Sequence, residues 1–198
     1  MIYFTSDTHF SHSNIITYCN RPFLKSGHDI STKLEVNLPD VEAMNEHLIE
    51  GWNACVMKGD TIYHLGDFGF TPRASTEGIA NLQKIANRLK GKIILIRGNH
   101  DTNIDSIKRF ETVKDIHVIH THNTRFVLCH YPMRSWQFMN KGSVHLFGHC
   151  HSNLPPHNFS FDVGIDNAKK ILGDYIPWSV YDVLDYVKNN LSRPIYQA

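Results

Sequence analysis

The 198-residue sequence lacks a membrane-length apolar run, a strong net charge and any disulfide-type cysteine spacing. A formal net charge of +1 gives no electrostatic reason to expect a nucleic-acid duplex or a membrane surface as partner. The four cysteines show no C-x-x-C pair and are expected to be reduced thiols. The first residues carry no basic segment of the kind that opens a secretory signal. These absences predict a cytoplasmic protein, and they leave its oligomeric state open.

Segments of strand length alternate along the chain with segments of helical period, a pattern typical of α/β proteins with right-handed crossovers. Residues 93–97 form an almost continuous apolar run, which predicts a strand buried on both faces. The polar stretch 25–37 is expected to be a surface loop, and residues 103–110 a short helix. There is no internal repeat or linker, so we expect residues 1–198 to form a single domain.

Side chains of the metal-ligating type follow five of the apolar segments. In an α/β sheet the carboxyl ends of the strands are where functional groups gather. Any one cluster alone could be a helix cap or a turn, but five repetitions make that explanation improbable. The residues at these ends are Asp7 and His9, then Asp67, then Asn99 with His100 and Asp101, then His130, and finally His149 and His151.

The chemistry of these side chains narrows the choice of metal. They offer carboxylates, imidazoles and one amide, without a cluster of thiolates. This set excludes a structural cysteine zinc site and suits Mn²⁺, Fe or Zn²⁺ in an open catalytic site. There are too many ligands for one ion, whereas two ions about 3.5–4 Å apart that share a carboxylate would use them all.

The motifs D-x-H, G-D, G-N-H-D, a lone His and G-H-x-H, in this order, resemble those of the calcineurin-like metallophosphoesterase superfamily. The resemblance runs from Asp7 to His151 and indicates a small, uncapped member. It implies a four-layer α/β/β/α sandwich, with two mixed β-sheets flanked by helices, and a metal-dependent hydrolase of phosphate monoesters or diesters. It also implies a ligand set: Asp7, His9 and His151 for one metal, Asn99, His130 and His149 for the other, and Asp67 as the bridge.

The same resemblance implies that a hydroxide shared by two divalent cations attacks phosphorus, and among the metals that the ligands suit we expect Mn²⁺. His100 would act as the general acid and Asp101 would orient its ring. Phe68 follows Asp67 where members of the phosphoprotein phosphatase branch carry a further acidic residue, so that branch is disfavoured. Three loop residues beside the motifs are candidate substrate contacts, since amide and guanidinium groups bind phosphate well: Asn14, Arg21 and Arg134.

Two alternatives remain open from the sequence. One is a nuclease or a cyclic-nucleotide phosphodiesterase of the same fold, with a nucleotide as substrate; the near-neutral charge disfavours tight duplex binding. The other is a non-catalytic scaffold, as some proteins of this fold are. A scaffold would be expected to lack some of the ligands, whereas this sequence retains all seven and His100 as well.

Overall fold

A computed structural model describes residues 1–29, 31–32, 34–71 and 75–192. The helices in these ranges are α1 (Ser13–Tyr18), α2 (Val41–Cys55), α3 (Thr76–Arg88), α4 (Ile165–Leu172) and α5 (Val180–Asn190). The strands are β1 (Ile2–Thr5), β2 (Leu24–His28), β3 (Glu35–Pro39), β4 (Thr61–His64), β5 (Lys92–Ile96), β6 (Phe110–Lys114), β7 (Ile116–Thr121), β8 (Thr124–Cys129), β9 (Val144–Phe147), β10 (Ser160–Asp162) and β11 (Trp178–Ser179). None of the helices in the described ranges is long and apolar enough to cross a membrane.

The first sheet has the strand order β11-β1-β4-β5-β6, and the second has the order β10-β9-β8-β7. In the first, β1, β4, β5 and β6 are parallel while β11 runs antiparallel to β1. In the second, β8, β9 and β10 are parallel and β7 is antiparallel to β8. Both sheets are therefore mixed, as expected. The parallel strands of each sheet end on one side, which is where the motif residues follow.

Apolar side chains fill the space between the two sheets and cover the outer face of the first. Phe4 of β1 and Phe126 of β8 meet between the sheets, with their ring centroids 5.4 Å apart. On the other face of the first sheet, Trp52 of α2 belongs to the cluster that joins the first three helices to β4 and β5. Trp136 and Met139 pack with Val127 of the second sheet. The expected mixed α/β architecture with sheets flanked by helices is confirmed.

Side-chain caps mark where the longer helices begin. Asp40 accepts a hydrogen bond from the Ala43 N–H at the start of α2, and Ser75 accepts one from the Gly78 N–H at the start of α3. At α5, Ser179 and Asp182 form a reciprocal capping box. These bonds satisfy N–H groups that have no partner within the helix.

Two sequence expectations outside the motifs were wrong. The stretch 25–37, expected to be a loop, contributes most of the antiparallel pair β2 and β3, whose exposed side chains give no apolar alternation. Where a helix was expected at 103–110, the structure has a single 3-10 turn, Ile104–Ser106. Phe110, the last residue of the expected helix, is the first residue of the edge strand β6. Strands that bury few side chains leave little pattern for sequence reasoning to detect.

Candidate metal centre

The loops after β1 and β9 bring three of the expected ligands together. Asp7, His9 and His151 each offer one ligand atom, and these atoms lie within 4.8 Å of one another. The Nε2 atoms of both imidazoles lie 3.9 Å from Oδ1 of Asp7. Asp7 and His9 are buried, and His151 is partly exposed. This set corresponds to the site expected for the first metal.

The loops after β4, β5, β8 and β9 bring the remaining ligands together. Asp67, His130 and His149 form a second set whose ligand atoms also lie within 4.8 Å of one another. Oδ1 of Asn99 joins it, at 3.1 Å from His130 Nε2 and 2.9 Å from His149 Nδ1. The ring nitrogen of His130 on the other side, Nδ1, lies 2.7 Å from the Leu65 carbonyl oxygen, which fixes the ring orientation.

A single carboxylate oxygen lies between the two sets. Oδ2 of Asp67 is 3.5 Å from His9 Nε2 in the first set and 3.6 Å from His130 Nε2 in the second. The other oxygen, Oδ1, accepts a hydrogen bond of 2.8 Å from the backbone N–H of His100. The carboxylate is thus held by the backbone on one side and is directed at both sets on the other, as a bridging ligand requires.

The backbone of five ligands adopts the left-handed region, which is uncommon for residues other than Gly, although Asn, Asp and His visit it more often than most. The φ angles are 57° at Asp7, 48° at His9, 54° at Asp67, 68° at His149 and 46° at His151. Such conformations cost free energy and are held in place by the surrounding structure. At each of these positions the strand has just ended, so the left-handed residue turns its side chain toward the common centre.

Two motif glycines are needed for close approach and not for a positive φ. A Cβ added at Gly98 would overlap the carboxylate of Asp67, and one added at Gly148 would overlap Ser6 Oγ and the carboxylate of Asp7. The positive-φ glycines in the described ranges include neither Gly98 nor Gly148. Each glycine lets a carboxylate pass over its Cα.

The carboxylate of Asp101 is not directed at His100, which corrects the expected role. It is buried and accepts hydrogen bonds from three backbone N–H groups, those of Asp67, Phe68 and Gly98, at 2.8, 3.0 and 2.8 Å. Burial raises the pKa of Asp101 to about 6, although these N–H groups oppose the rise. Asp101 therefore ties the loop after β4 to the loop after β5 and sets the position of the bridging Asp67.

Arg21 is likewise not a substrate contact, because its side chain is buried. Its guanidinium forms two hydrogen bonds with Asp166, at 2.8 and 2.9 Å, and two more with the carbonyl oxygens of Asp7 and Thr8. Asp166 Oδ2 in turn lies 2.8 Å from His151 Nδ1. Burial lowers the pKa of His151, but the hydrogen bonds to Asp166 and Cys19 and the charge of Asp7 together outweigh burial and raise the pKa to about 11. The Arg21–Asp166 pair thus orients the first ligand set from behind.

The described residues fit a pair of cations in three respects. The buried Nε2 of His9 has no hydrogen-bond partner, although buried polar atoms nearly always have one. Burial lowers the pKa of His9 well below its usual value, so the ring is held neutral, as a metal ligand must be. Burial also raises the pKa of Asp7 well above its usual value, a shift that a bound cation would reverse.

A cavity of about 470 Å³ opens beside the first ligand set and shares His9 and His151 with it, and His100 also lines it. Asn14 lines this cavity, and its contact with a substrate stays a prediction. Arg134 is exposed and is not among the residues lining it. Sequence reasoning did not assign His12 and Phe70, which also line the cavity and whose rings stack with centroids 4.2 Å apart.

Asp166 was also missed as a functional residue. A weak signal existed, because it follows a short strand and a glycine, as the other clusters do. The sequence contains no indication that its partner is Arg21, 145 residues away. Pairings of this kind are created by the fold.

Comparisons with known proteins agree with the geometry. The family model for calcineurin-like phosphoesterases matches residues 1–186. The uncharacterized protein MJ1445 of Methanocaldococcus jannaschii is 34% identical over 184 residues, covering 88% of each chain. The Gene 66 protein of Mycobacterium phage L5 is 26% identical over 218 residues, covering 93% of this chain and 94% of its own.

Among solved structures, the Aquifex aeolicus protein AQ665, described as of unknown function, is similar in fold. It superposes with a TM-score of 0.64 at 22% identity and covers 93% of this chain and 98% of its own. The family match spans every ligand of both sets, and the structure brings those ligands together at the strand ends. The chain belongs to the calcineurin-like phosphoesterase family.

Proposed function

We propose that the protein hydrolyses phosphate esters with the help of two divalent cations, Mn²⁺ in the first place and Fe or Zn²⁺ as alternatives. The observation that carries the proposal is the position of Asp67 Oδ2, 3.5 Å from a nitrogen of one ligand set and 3.6 Å from a nitrogen of the other. Two sets that share a carboxylate are typical of two-metal sites that act on phosphate.

When bound, the cations would lower the pKa of a water molecule and offset negative charge on the phosphoryl oxygens. Asp7, His9 and His151 would hold one ion, Asn99, His130 and His149 the other, and Asp67 both. The chain's contribution is rigidity, because the bridging carboxylate is fixed by the His100 N–H and by the loop that Asp101 ties down. Fixed ligands need no rearrangement during the reaction.

His100 would give a proton to the departing oxygen. Its ring lies beside His9, with centroids 5.2 Å apart, and lines the cavity where the organic part of an ester would leave. Its backbone N–H is bound to Asp67, so the ring is attached to the same loop that carries the bridge. A positioned general acid contributes about 10²–10⁴-fold to the rate.

The complete ligand set argues against a non-catalytic scaffold, because a scaffold does not need its metal-ligating residues and would be expected to have lost some of them. A nuclease or cyclic-nucleotide phosphodiesterase activity would use the same centre and is the second candidate. We place the protein in the cytoplasm, because its four cysteines are unpaired and none follows a disulfide-type spacing.

Hydrolysis of 4-nitrophenyl phosphate and of bis(4-nitrophenyl) phosphate, with and without Mn²⁺, tests the proposal. We expect turnover with the metal and loss of turnover with a chelator, whereas equal rates would contradict a metal mechanism. The variant Asp67→Asn should lose bound metal and activity together. Asp115→Asn, an exposed aspartate with 91% of its side chain accessible, is the matched control and should keep both.

A further inference from the structure

The 470 Å³ cavity beside the first ligand set is large enough for more than a phosphate group. Pockets that bind small organic molecules commonly measure about 300–1,000 Å³. His100, the proposed general acid, lines the cavity, and its backbone N–H donates a hydrogen bond to Asp67 Oδ1. The cavity therefore adjoins the side of the centre from which an organic leaving group departs.

The described lining of this cavity holds no Lys, Arg, Asp or Glu. Its polar groups outside the shared histidines include the amides of Asn14 and Asn153, which can donate and accept hydrogen bonds without a charge. Burying a charged group without a partner is unfavourable. Outside the ligand histidines, the lining therefore offers no charged side chain to pair with a carboxylate or a further phosphate on the organic group.

Flat rings form much of the remaining wall. The imidazole of His12 and the ring of Phe70 stack with an interplanar angle of 19°, and His100 meets Phe70 edge to face with centroids 5.8 Å apart. Tyr18 also lines the cavity, is 71% exposed, and has no ring or hydrogen-bond partner among the described side chains. Ile15 lies three residues earlier on the same face of α1. An unpaired aromatic ring beside a stacked pair suits another planar group.

We propose that this cavity binds the leaving group of the ester, and that the leaving group carries an uncharged planar ring, as a nucleoside or an aryl alcohol does. Tyr18 and Phe70 would contact the ring, and Asn14 would contact its polar edge. This inference rests on the proposed phosphoesterase function and assigns its substrate class.

Three natural phosphates with the same ribose and the same departing oxygen test it: uridine 5′-phosphate, ribose 5-phosphate, which lacks the base, and orotidine 5′-phosphate, whose base carries a carboxylate. The measurement is kcat/KM or, where turnover is absent, the inhibition constant against a 4-nitrophenyl ester. We expect uridine 5′-phosphate to be preferred over ribose 5-phosphate by about tenfold, the order of a base–aromatic stack. Orotidine 5′-phosphate should be disfavoured relative to uridine 5′-phosphate.

Benzyl phosphate and methyl phosphate, whose leaving alcohols are about equally acidic, form a second pair that separates simple aromatic substrates from nucleoside substrates. A ring preference in either pair supports the proposal, and the pair that shows it identifies the source. Equal constants within both pairs overturn it, provided that the 4-nitrophenyl ester is still hydrolysed in a chelator-sensitive way. Loss of that hydrolysis as well would refute the proposed function itself, so the two failures are distinguishable.

Variants assign the preference to the cavity. Tyr18→Ala should remove most of the ring preference, Tyr18→Phe should retain it, and Asn14→Lys should shift selectivity toward orotidine 5′-phosphate. Tyr181→Ala is the matched control, because Tyr181 is also an exposed tyrosine, at 55%, and lies on α5. A ring preference that survives Tyr18→Ala and Asn14→Lys unchanged would contradict the assignment.

Discussion

Replacing Asp166 by Asn should weaken both the fold and the first metal site. The carboxylate pairs with the buried guanidinium of Arg21, whose side chain is 0% exposed, and accepts a hydrogen bond from the ring of His151. The substitution keeps the shape of the side chain and removes its charge. It therefore leaves a buried cation without a counter-charge and an imidazole without the partner that fixes its orientation.

The magnitude follows from burial. Removing one partner of a buried ion pair costs about 3–5 kcal/mol, and for a chain of this size that lowers the melting temperature by about 6–20 °C. Losing the carboxylate behind a ligating histidine lowers metal affinity by about 10–100-fold. The two effects have different origins, because the first comes from Arg21 and the second from His151.

Thermal unfolding with a chelator present measures the first effect, and calorimetric titration of Mn²⁺ at a temperature where the variant is folded measures the second. Asp174→Asn is the matched control. Its carboxylate also pairs with a basic ring, that of His47 at 3.0 Å, but the two side chains are 47% and 40% exposed. Exposed pairs contribute about 0–1 kcal/mol, so this control should melt close to the wild-type protein and bind Mn²⁺ equally well.

The reasoning is refuted if Asp166→Asn melts like Asp174→Asn and binds Mn²⁺ like the wild-type protein. A variant that is destabilised but binds Mn²⁺ normally would retain the role of Asp166 for Arg21 and contradict its role for His151. A variant with normal stability but weakened Mn²⁺ binding would retain the role of Asp166 for His151 and contradict its role for Arg21.

Three further predictions concern other parts of the molecule. Gly148→Ala should lower the affinity for Mn²⁺ at least tenfold, because the new methyl group would overlap the carboxylate of Asp7. Calorimetric titration measures this affinity, and wild-type affinity in the variant would contradict the overlap. His100→Ala should lower kcat by about 10²-fold with unchanged metal content, and loss of metal would instead make His100 a ligand. Burial lowers the pKa of His64 to about 3, so the unfolded chain binds more protons and stability should fall as pH drops below 6.5. Urea unfolding at pH 7.5 and 5 measures the free energy of unfolding, which should change less between the two pH values in His64→Gln than in the wild-type protein. An equal change in both proteins would contradict this.

The clustering of these side chains could be predicted from the sequence because each follows a strand, whereas their assignment as ligands of two metals came from the resemblance to the family. A short apolar run predicts the strand, and the strand end determines where the next side chains lie. Asn99 and His130 are 31 residues apart, yet both meet at the same edge because β5 and β8 end on the same side. Local pattern and sheet topology together were sufficient to predict that these side chains meet.

The residues behind the ligands could not be predicted in the same way. Arg21 carries the same charge whether it is buried against Asp166 or extended toward a phosphate, and the sequence does not distinguish the two. Asp101 follows His100 directly, which suggested contact between their side chains, but its carboxylate is taken up by three backbone N–H groups. Hydrogen bonds to backbone groups of distant loops leave no sequence pattern.

The left-handed backbone at Asp7, His9, Asp67, His149 and His151 bears on how such a protein can decay during evolution. Asp tolerates this conformation better than most residues, so the cost falls mainly on the three histidines, at about 1–2 kcal/mol each relative to Gly or Asn. Against a total stability of about 5–15 kcal/mol, a change of any of the three to Gly or Asn would relieve that backbone cost. A lineage released from catalysis would therefore be expected to lose these histidine side chains early.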